Sequence, residues 1–185
     1  MSVFEIMFSL LILQRVSELI IAKRNERWMI SRGATIHGKN HYPFIVVLHI
    51  LFLLSLWFEV TMFNNELSNI WIILLPLIVF SQIIRYWAIC SLGKYWNTKI
   101  IIVPNQVIES KGPYKFIRHP NYVAVALEIG LFPLLFHAYT TAIVFSFLNM
   151  IMMMIRIPIE EKALKNQTNY QKSFGIKARF LPKRF

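Results

Sequence analysis

The sequence contains no aspartate at all. That absence removes mechanisms built on an Asp-bearing catalytic triad, and with them calcium loops rich in Asp. Cysteine occurs once, as Cys90, so neither a disulfide framework nor a zinc knuckle with several thiolates can be assembled. Charge is also scarce: Asp, Glu, Lys and Arg make up 16% of 185 residues, against roughly 25% in an average soluble domain. Apolar residues fill the gap, at 56%, with fifteen Phe and five Trp. Mean hydropathy is +0.51. A soluble sphere of this size cannot hide so much apolar surface, and a disordered chain would not carry it. The chain reads as an all-α integral membrane protein forming one domain, 1–185.

Five apolar stretches mark its spans: 2–22, 43–63, 69–92, 122–137 and 139–158. Crossing a hydrocarbon core of about 30 Å takes roughly 20 residues. The fourth stretch is short, about 24 Å long as a helix, and is expected to be little tilted or partly re-entrant. The first is not a signal peptide, because it has no basic leader or small-residue cleavage site and carries Glu5, Gln14, Arg15 and Glu18 in its body. Arg15 and Glu18 share a helix face, which should turn toward other helices.

The net charge of +11 suggests nucleic acid until its distribution is read. Of twenty Lys and Arg, five lie between the first two spans, five between the third and fourth, and seven after the fifth. None lies in the other two connections. An alternating topology with the N-terminus outside puts all seventeen in the cytoplasm. The charge is a topology signal, and no nucleic-acid partner is expected.

The short connections 64–68 and 136–141 predict two antiparallel hairpins, of the second with the third span and the fourth with the fifth. Pro76 and Pro133 fall inside spans and predict kinks. Arg85 and Glu128 are buried by position and read as a structural ion pair or as channel lining.

Polarity that can carry chemistry concentrates in two places. One is the cytoplasmic loop 93–121. Its centre, 98–109, alternates β-branched residues with Pro-Asn turn chemistry, predicting a short extended ribbon. It continues as Gly112-Pro113-Tyr114 and Arg118-His119-Pro120-Asn121-Tyr122, with Pro120 at the first position of a helix and His119 near its cap. The free N–H groups of such an end favour an anionic group. The other place is Arg156-Ile157-Pro158-Ile159-Glu160-Glu161. Arg156 and Glu160 project from one helix face, and Glu161 lies about 100° away. Taken alone, this is an interfacial ion pair with Glu161 in solvent. His119 alone is equally a helix cap or a surface histidine, and Tyr114 and Tyr122 alone are membrane-interface aromatics.

Together, the Gly-Pro-Tyr…Arg-His-Pro-Asn-Tyr string and its spacing to Arg-x-x-x-Glu-Glu resemble the isoprenylcysteine carboxyl methyltransferase family. Leu92-Gly93-Lys94-Tyr95-Trp96 is a further shared feature, and the resemblance covers about 92–170, the expected catalytic core. The compact five-span layout is similar to prokaryotic members, which implies a bacterial plasma membrane. The chain departs from the family at Val123-Ala124, where many members have a Gly, and at Pro158 inside the Arg-Glu-Glu segment. Relatives of the family include phospholipid methyltransferases and, more remotely, membrane sterol reductases, so the fold does not fix the substrate.

The resemblance implies O-methylation dependent on S-adenosylmethionine, with the cofactor site formed by the cytoplasmic loop and the C-terminal tail. It implies that Tyr114, His119, Pro120, Asn121, Tyr122 and Glu160 surround the cofactor, and that Gln106, Val107, Ile108 and Glu109 supply backbone contacts. Arg156 is the implied catalytic and acceptor-binding residue, gripping an oxyanion beside the methyl. The acceptor is expected to be lipophilic or lipidated, a membrane lipid or a lipid-like carboxylate, phenol or enol; bacterial members that methylate long-chain pyrones or phenolic lipids fit that class. The chemistry agrees, because methyl transfer needs positioning and desolvation more than acid–base power. No metal is required, and His37, His41, His49, His119 and His137 are dispersed. Two alternatives remain: N-methylation of a phospholipid headgroup, and a non-enzymatic small transporter or assembly protein. The latter would need inverted repeats or paired broken helices, which the sequence lacks. A reductase would need a Gly-rich dinucleotide fingerprint, also lacking.

Overall fold

Ser2 and Glu5 form a capping box, each side chain accepting from the other's backbone N–H, and so start α1 (Val3–Ile30). The helix runs eight residues past the apolar stretch that marked it. It is followed by β1 (Thr35–His37), α2 (Tyr42–Met62), α3 (Trp71–Leu92), β2 (Ile100–Ile102), α4 (Pro120–Leu134), α5 (Tyr139–Gln167) and α6 (Tyr170–Phe174). Short 3₁₀ turns cover Gly93–Tyr95 and Gly112–Lys115. This is a computed structural model describing residues 2–63, 66–108, 110–175 and 177–180. Asn64 and Asn65 of the second connection, and Glu109, lie outside the described residues.

Three helices are long and apolar enough to cross a membrane: α2, α3 with the turn that follows it, and α5. At 15 residues α4 is shorter, about 22 Å, and α1 carries Glu5, Arg15 and Glu18 within its apolar part. The chain is a mostly helical integral membrane protein.

The hairpin reading holds for α4 and α5, which pack on each other across a tight turn where His137 takes a positive φ of 52°. It fails for α2 and α3. The main partner of α2 is α5, and that of α3 is α4. Glu59 of α2 explains the exchange. Its carboxylate accepts from the backbone N–H groups of Thr140 (2.9 Å) and Thr141 (2.7 Å) and from the Thr141 hydroxyl (2.6 Å). It thereby caps the exposed donors at the start of α5, where a negative charge is favoured. Ser55, one turn earlier, sits 2.7 Å from Thr141 Oγ1.

This end of the molecule holds the apolar core. Phe4, Phe8 and Leu11 of α1 meet Phe52, Leu56 and Val60 of α2, Leu74 and Ile78 of α3, and Phe132 and Phe136. Phe4 packs edge-on to Phe136 at 5.1 Å between ring centroids. Fully burying each such side chain contributes about 1.5–3 kcal/mol relative to water. In a bilayer the gain is one of packing rather than of escape from water.

The opposite end carries the ribbon. An extended segment does occur within 98–109, but its partner comes from elsewhere: Ile100, Ile101 and Ile102 pair antiparallel with His37, Ile36 and Thr35. These two three-residue strands are a small addition to an otherwise helical chain. They meet because the polar extension of α1 carries the next segment alongside the loop. Asn25 Nδ2 donates to the carbonyls of Trp96 (2.8 Å) and Gly93 (3.1 Å), Asn97 Nδ2 donates to Ala22 O (2.7 Å), and Lys99 Nζ pairs with Glu26 at 2.7 Å. At the Gly-Pro-Tyr turn, Gly112 has φ +54°, and a Cβ there would lie 1.9 Å from Ser91 Oγ. Only glycine lets this turn press against α3.

Candidate active site

Pro120 opens α4 as its first residue, and the N–H groups of Tyr122 and Val123 donate to His119 O (3.2 and 3.3 Å). This places the Tyr122 side chain opposite the C-terminal half of α5. Tyr122 Oη donates to Glu160 Oε2 at 2.5 Å and accepts from Arg156 Nε at 2.6 Å, while Arg156 Nη2 donates to Thr98 O at 2.5 Å. The expected direct pair of Arg156 with Glu160 is replaced by this relay, in which the phenol separates cation from anion. Pro158 lies within a continuous helix, and the two side chains keep the shared face that their spacing predicts. Arg156 Nη1 and Glu160 Oε1 keep their hydrogen-bonding capacity uncommitted among the described residues.

Beside the relay lies a cavity of about 420 Å³, within the range of small-molecule sites. Its rim beside the relay includes Gln106, Tyr114, His119, Asn121, Tyr122, Arg156 and Glu160, so the structure gathers most of the expected residues around one space. Burial, with the Glu160 carboxylate nearby, pushes the Tyr114 hydroxyl far up, which keeps it a neutral phenol. Two residues of the wall each have a buried polar atom with no hydrogen-bond partner among the described residues, Asn121 at Oδ1 and Trp96 at Nε1. Such atoms are costly unless something pairs with them.

Some expected residues fall elsewhere. Pro120 is buried at the helix start and is not part of the wall. Val107 is 69% exposed and faces away. Ile108 contributes its side chain to the wall, but its backbone is committed, the N–H to Asn169 Oδ1 (2.6 Å) and the carbonyl to Ser173 Oγ (2.9 Å).

Glu161 is not in solvent. It is 5% exposed and joins three partners: His119 Nε2 at 3.0 Å and the guanidinium groups of Arg179 at 2.8 Å and Arg118 at 3.5 Å. Two backbone bonds add to this, Arg118 N to Ala178 O (3.0 Å) and His119 N to Arg179 O (3.1 Å). The C-terminal segment is thereby laced to the loop ahead of α4, and Arg118 donates from Nε and Nη2 to Lys177 O (2.6 Å) and Gly175 O (3.0 Å).

Deeper in the cavity is a charge cluster that sequence position hinted at only through Arg85 and Glu128. Arg85 grips both oxygens of Glu18, and Arg15 pairs with Glu128 and, at 3.0 Å, with Glu18. Gln82 bridges the cluster, donating to Glu128 (2.8 Å) and accepting from Gln14 (2.8 Å). The structural ion-pair reading was right in kind. The expected pair is present, with Arg85 Nη1 3.7 Å from Glu128 Oε2, and both residues take further partners because the face of α1 bearing Arg15 and Glu18 turns inward between α3 and α4.

The family model of the isoprenylcysteine carboxyl methyltransferase family matches residues 72–166, which span α3, the loop, α4 and nearly all of α5. The chain is 47% identical over 162 residues to the uncharacterized protein YpbQ of Bacillus subtilis, covering 88% of this chain and 96% of that protein. It is 28% identical over 163 residues to an uncharacterized protein of Haemophilus influenzae, covering 87% and 94%.

Proposed function

The chain belongs to the isoprenylcysteine carboxyl methyltransferase family, and on that premise we propose that it moves a methyl group from S-adenosylmethionine to an oxygen of a lipid-like acceptor. The observation that carries this is the cavity itself, polar at the Tyr122–Glu160 rim and apolar along Ile45, Val46, Ile50 and Leu53 of α2 and Met152 and Met153 of α5. A polar donor and a lipophilic acceptor can share such a space.

The donor set fits the cofactor. An ammonium and an adenine amino group need acceptors, which Glu160 Oε1 and the orphaned Asn121 Oδ1 supply. A carboxylate or ring nitrogen needs a donor, which the orphaned Trp96 Nε1 supplies. The neutral faces of Tyr114 and Tyr122 suit a sulfonium. S-Adenosylmethionine bound there supplies an electrophilic methyl group. The chain's own residues bind, orient and exclude water. Tyr122 holds Glu160 and Arg156 at fixed places, and Arg156 keeps Nη1 for the acceptor oxygen. We place this rim in the cytoplasm, with the seventeen loop charges, and the membrane as the bacterial plasma membrane.

Calorimetry of the full chain in detergent with S-adenosylhomocysteine tests the reading. Saturable binding that weakens in Glu160→Gln is expected. Folded protein that binds none would end it.

A further inference from the structure

The polar last turns of α1 lie outside the cavity and sort cleanly by face. On one side Ala22 and Met29 are buried, Asn25 donates to the carbonyls of Gly93 and Trp96, and Glu26 takes Lys99 Nζ with both oxygens, at 2.7 and 2.9 Å. The other side carries Lys23, Arg24 and Arg27, all exposed, within an arc of about 100°. Arg32 follows just past the helix end. None of these four cations, nor Lys94, pairs with a carboxylate among the described residues. Glu26, the carboxylate of this segment, is already taken up by Lys99.

Trp28 gathers this charge. The Arg32 guanidinium lies over its ring, 4.3 Å from the centroid, and Lys94 Nζ, from the 3₁₀ turn after α3, lies over the same ring at 5.4 Å. Tyr95 packs edge-on to it at 5.2 Å. Orienting a chain in a bilayer needs only positive charge on one side. It does not need two cations from separate elements drawn onto one aromatic ring, where each is attracted to the ring and repels the other. The depth is also that of a lipid headgroup. The apolar run of α1 ends at Ala22, and Lys23 to Trp28 climb about 9 Å beyond it, against roughly 5–8 Å of headgroup layer on each side of a bilayer. Long basic side chains reach back toward that layer.

We propose that this corner binds the headgroup of an anionic phospholipid, its phosphate shared by the Arg32 guanidinium and the Lys94 ammonium, with Arg24 and Arg27 beside it. A guanidinium meets phosphate oxygens with paired N–H donors, and an ammonium adds a point charge. A lipid is favoured over a soluble anion by the depth and by the helix below. Leu13, Val16 and Ile20 lie on the same face of α1 as the three cations and are exposed, so acyl chains run along them. An anionic headgroup is favoured over a zwitterionic one by the charge, because choline or ethanolamine would bring a further cation to a corner without a free carboxylate. The site does not depend on the cofactor reading. It bears on the cavity through the wall residues Tyr95 and Trp96, which a headgroup held across α1 and the turn would brace.

The test uses the full chain in an uncharged detergent. Phosphatidylglycerol and phosphatidylcholine of equal acyl length are titrated in, and the first lipid bound is followed by native mass spectrometry. Wild type should bind phosphatidylglycerol about tenfold more tightly than phosphatidylcholine. The double variant Arg32→Gln with Lys94→Gln should lose about tenfold for phosphatidylglycerol and little for phosphatidylcholine, and each single variant should lose part of that. The control, Lys165→Gln with Lys172→Gln, removes the same net charge from exposed positions after α5 and should keep the wild-type affinity. All substituted side chains are exposed, so thermal unfolding should match wild type in every variant. Equal losses in the two double variants would reduce the effect to net charge and overturn the site, as would equal affinity of wild type for the two lipids. Displacement of phosphatidylglycerol by inorganic phosphate or by a short oligonucleotide at equal concentration would assign the corner to a soluble partner and overturn it likewise.

Discussion

Glu161 Oε1 lies 3.0 Å from Nε2 of His119, a contact that ties the end of α5 to the start of α4. The same carboxylate takes Arg179 through Nε (3.1 Å) and Nη2 (2.8 Å), and this pairing holds the Arg179 guanidinium above its ordinary proton affinity. Glu161→Gln keeps the shape and removes the charge on which those partners converge. It should cost about 1–3 kcal/mol and free the C-terminal segment. Limited trypsin digestion in detergent should cut after Lys177 or Arg179 faster in the variant than in wild type. Digestion at the wild-type rate would mean that the two backbone bonds and the Arg118 side chain hold the segment without the Glu161 charge.

Tyr122→Phe removes one hydroxyl and breaks two charge-assisted contacts, to Glu160 and to Arg156. Each such bond is worth about 1.5–3 kcal/mol. Glu160 is then free to swing, and S-adenosylhomocysteine affinity should fall about tenfold or more. Because Tyr122 acts by placing Glu160, the pair Tyr122→Phe with Glu160→Gln should lose little more than either alone. A double-mutant cycle reads that coupling. Additive losses would show that the two residues serve the cofactor separately.

Much of this architecture is legible in the residues, and the reasons for the rest are physical. The helices show as apolar runs because a bilayer demands them. Hydropathy stops at Lys23 and at Pro158, however, whereas the hydrogen-bond ladder of α1 continues to Ile30 and that of α5 to Gln167. The loop-binding Asn25 and Glu26 were therefore invisible. Arg156, Tyr122 and Glu160 were singled out through the motifs that carry the family resemblance, yet the phenol between the two charges depends on how α4 sits against α5. Glu161 was misjudged because its face was weighed only within its own helix, whereas its partners come from α4 and from a segment some 18 residues later. A signal was present for the inner charges: Arg15, Glu18, Arg85 and Glu128 balance in number. Which pairs with which is set by the packing of α1.

The topology has a direct test. The single native cysteine, Cys90, is exposed and must first be replaced by serine. A cysteine then introduced at Glu66 should react with a membrane-impermeant maleimide in intact cells, and one at Lys111 only after the cells are opened. The argument is charge asymmetry, since seventeen basic residues lie in the two connections and tail assigned to the cytoplasm. Labelling at Lys111 alone would invert the protein and put the cavity rim outside.

The buried cluster should behave as a balanced set rather than as independent bridges. Glu128 is fully buried and Arg85 nearly so, and Arg15 of α1 joins Glu128 of α4 to Glu18 on its own helix. Glu128→Leu leaves two guanidinium groups to one carboxylate in a low-dielectric site. Breaking a buried pair in this way costs about 3–5 kcal/mol, because the uncompensated charge stays behind. Adding Arg15→Met removes the surplus cation and leaves Arg85 bound through Nε and Nη2 to Glu18, so the double variant should be more stable than Glu128→Leu alone. Thermal unfolding of the four proteins in one detergent measures this. A double variant that loses the sum of the two single losses would mean that shape, rather than charge balance, holds α1 in place.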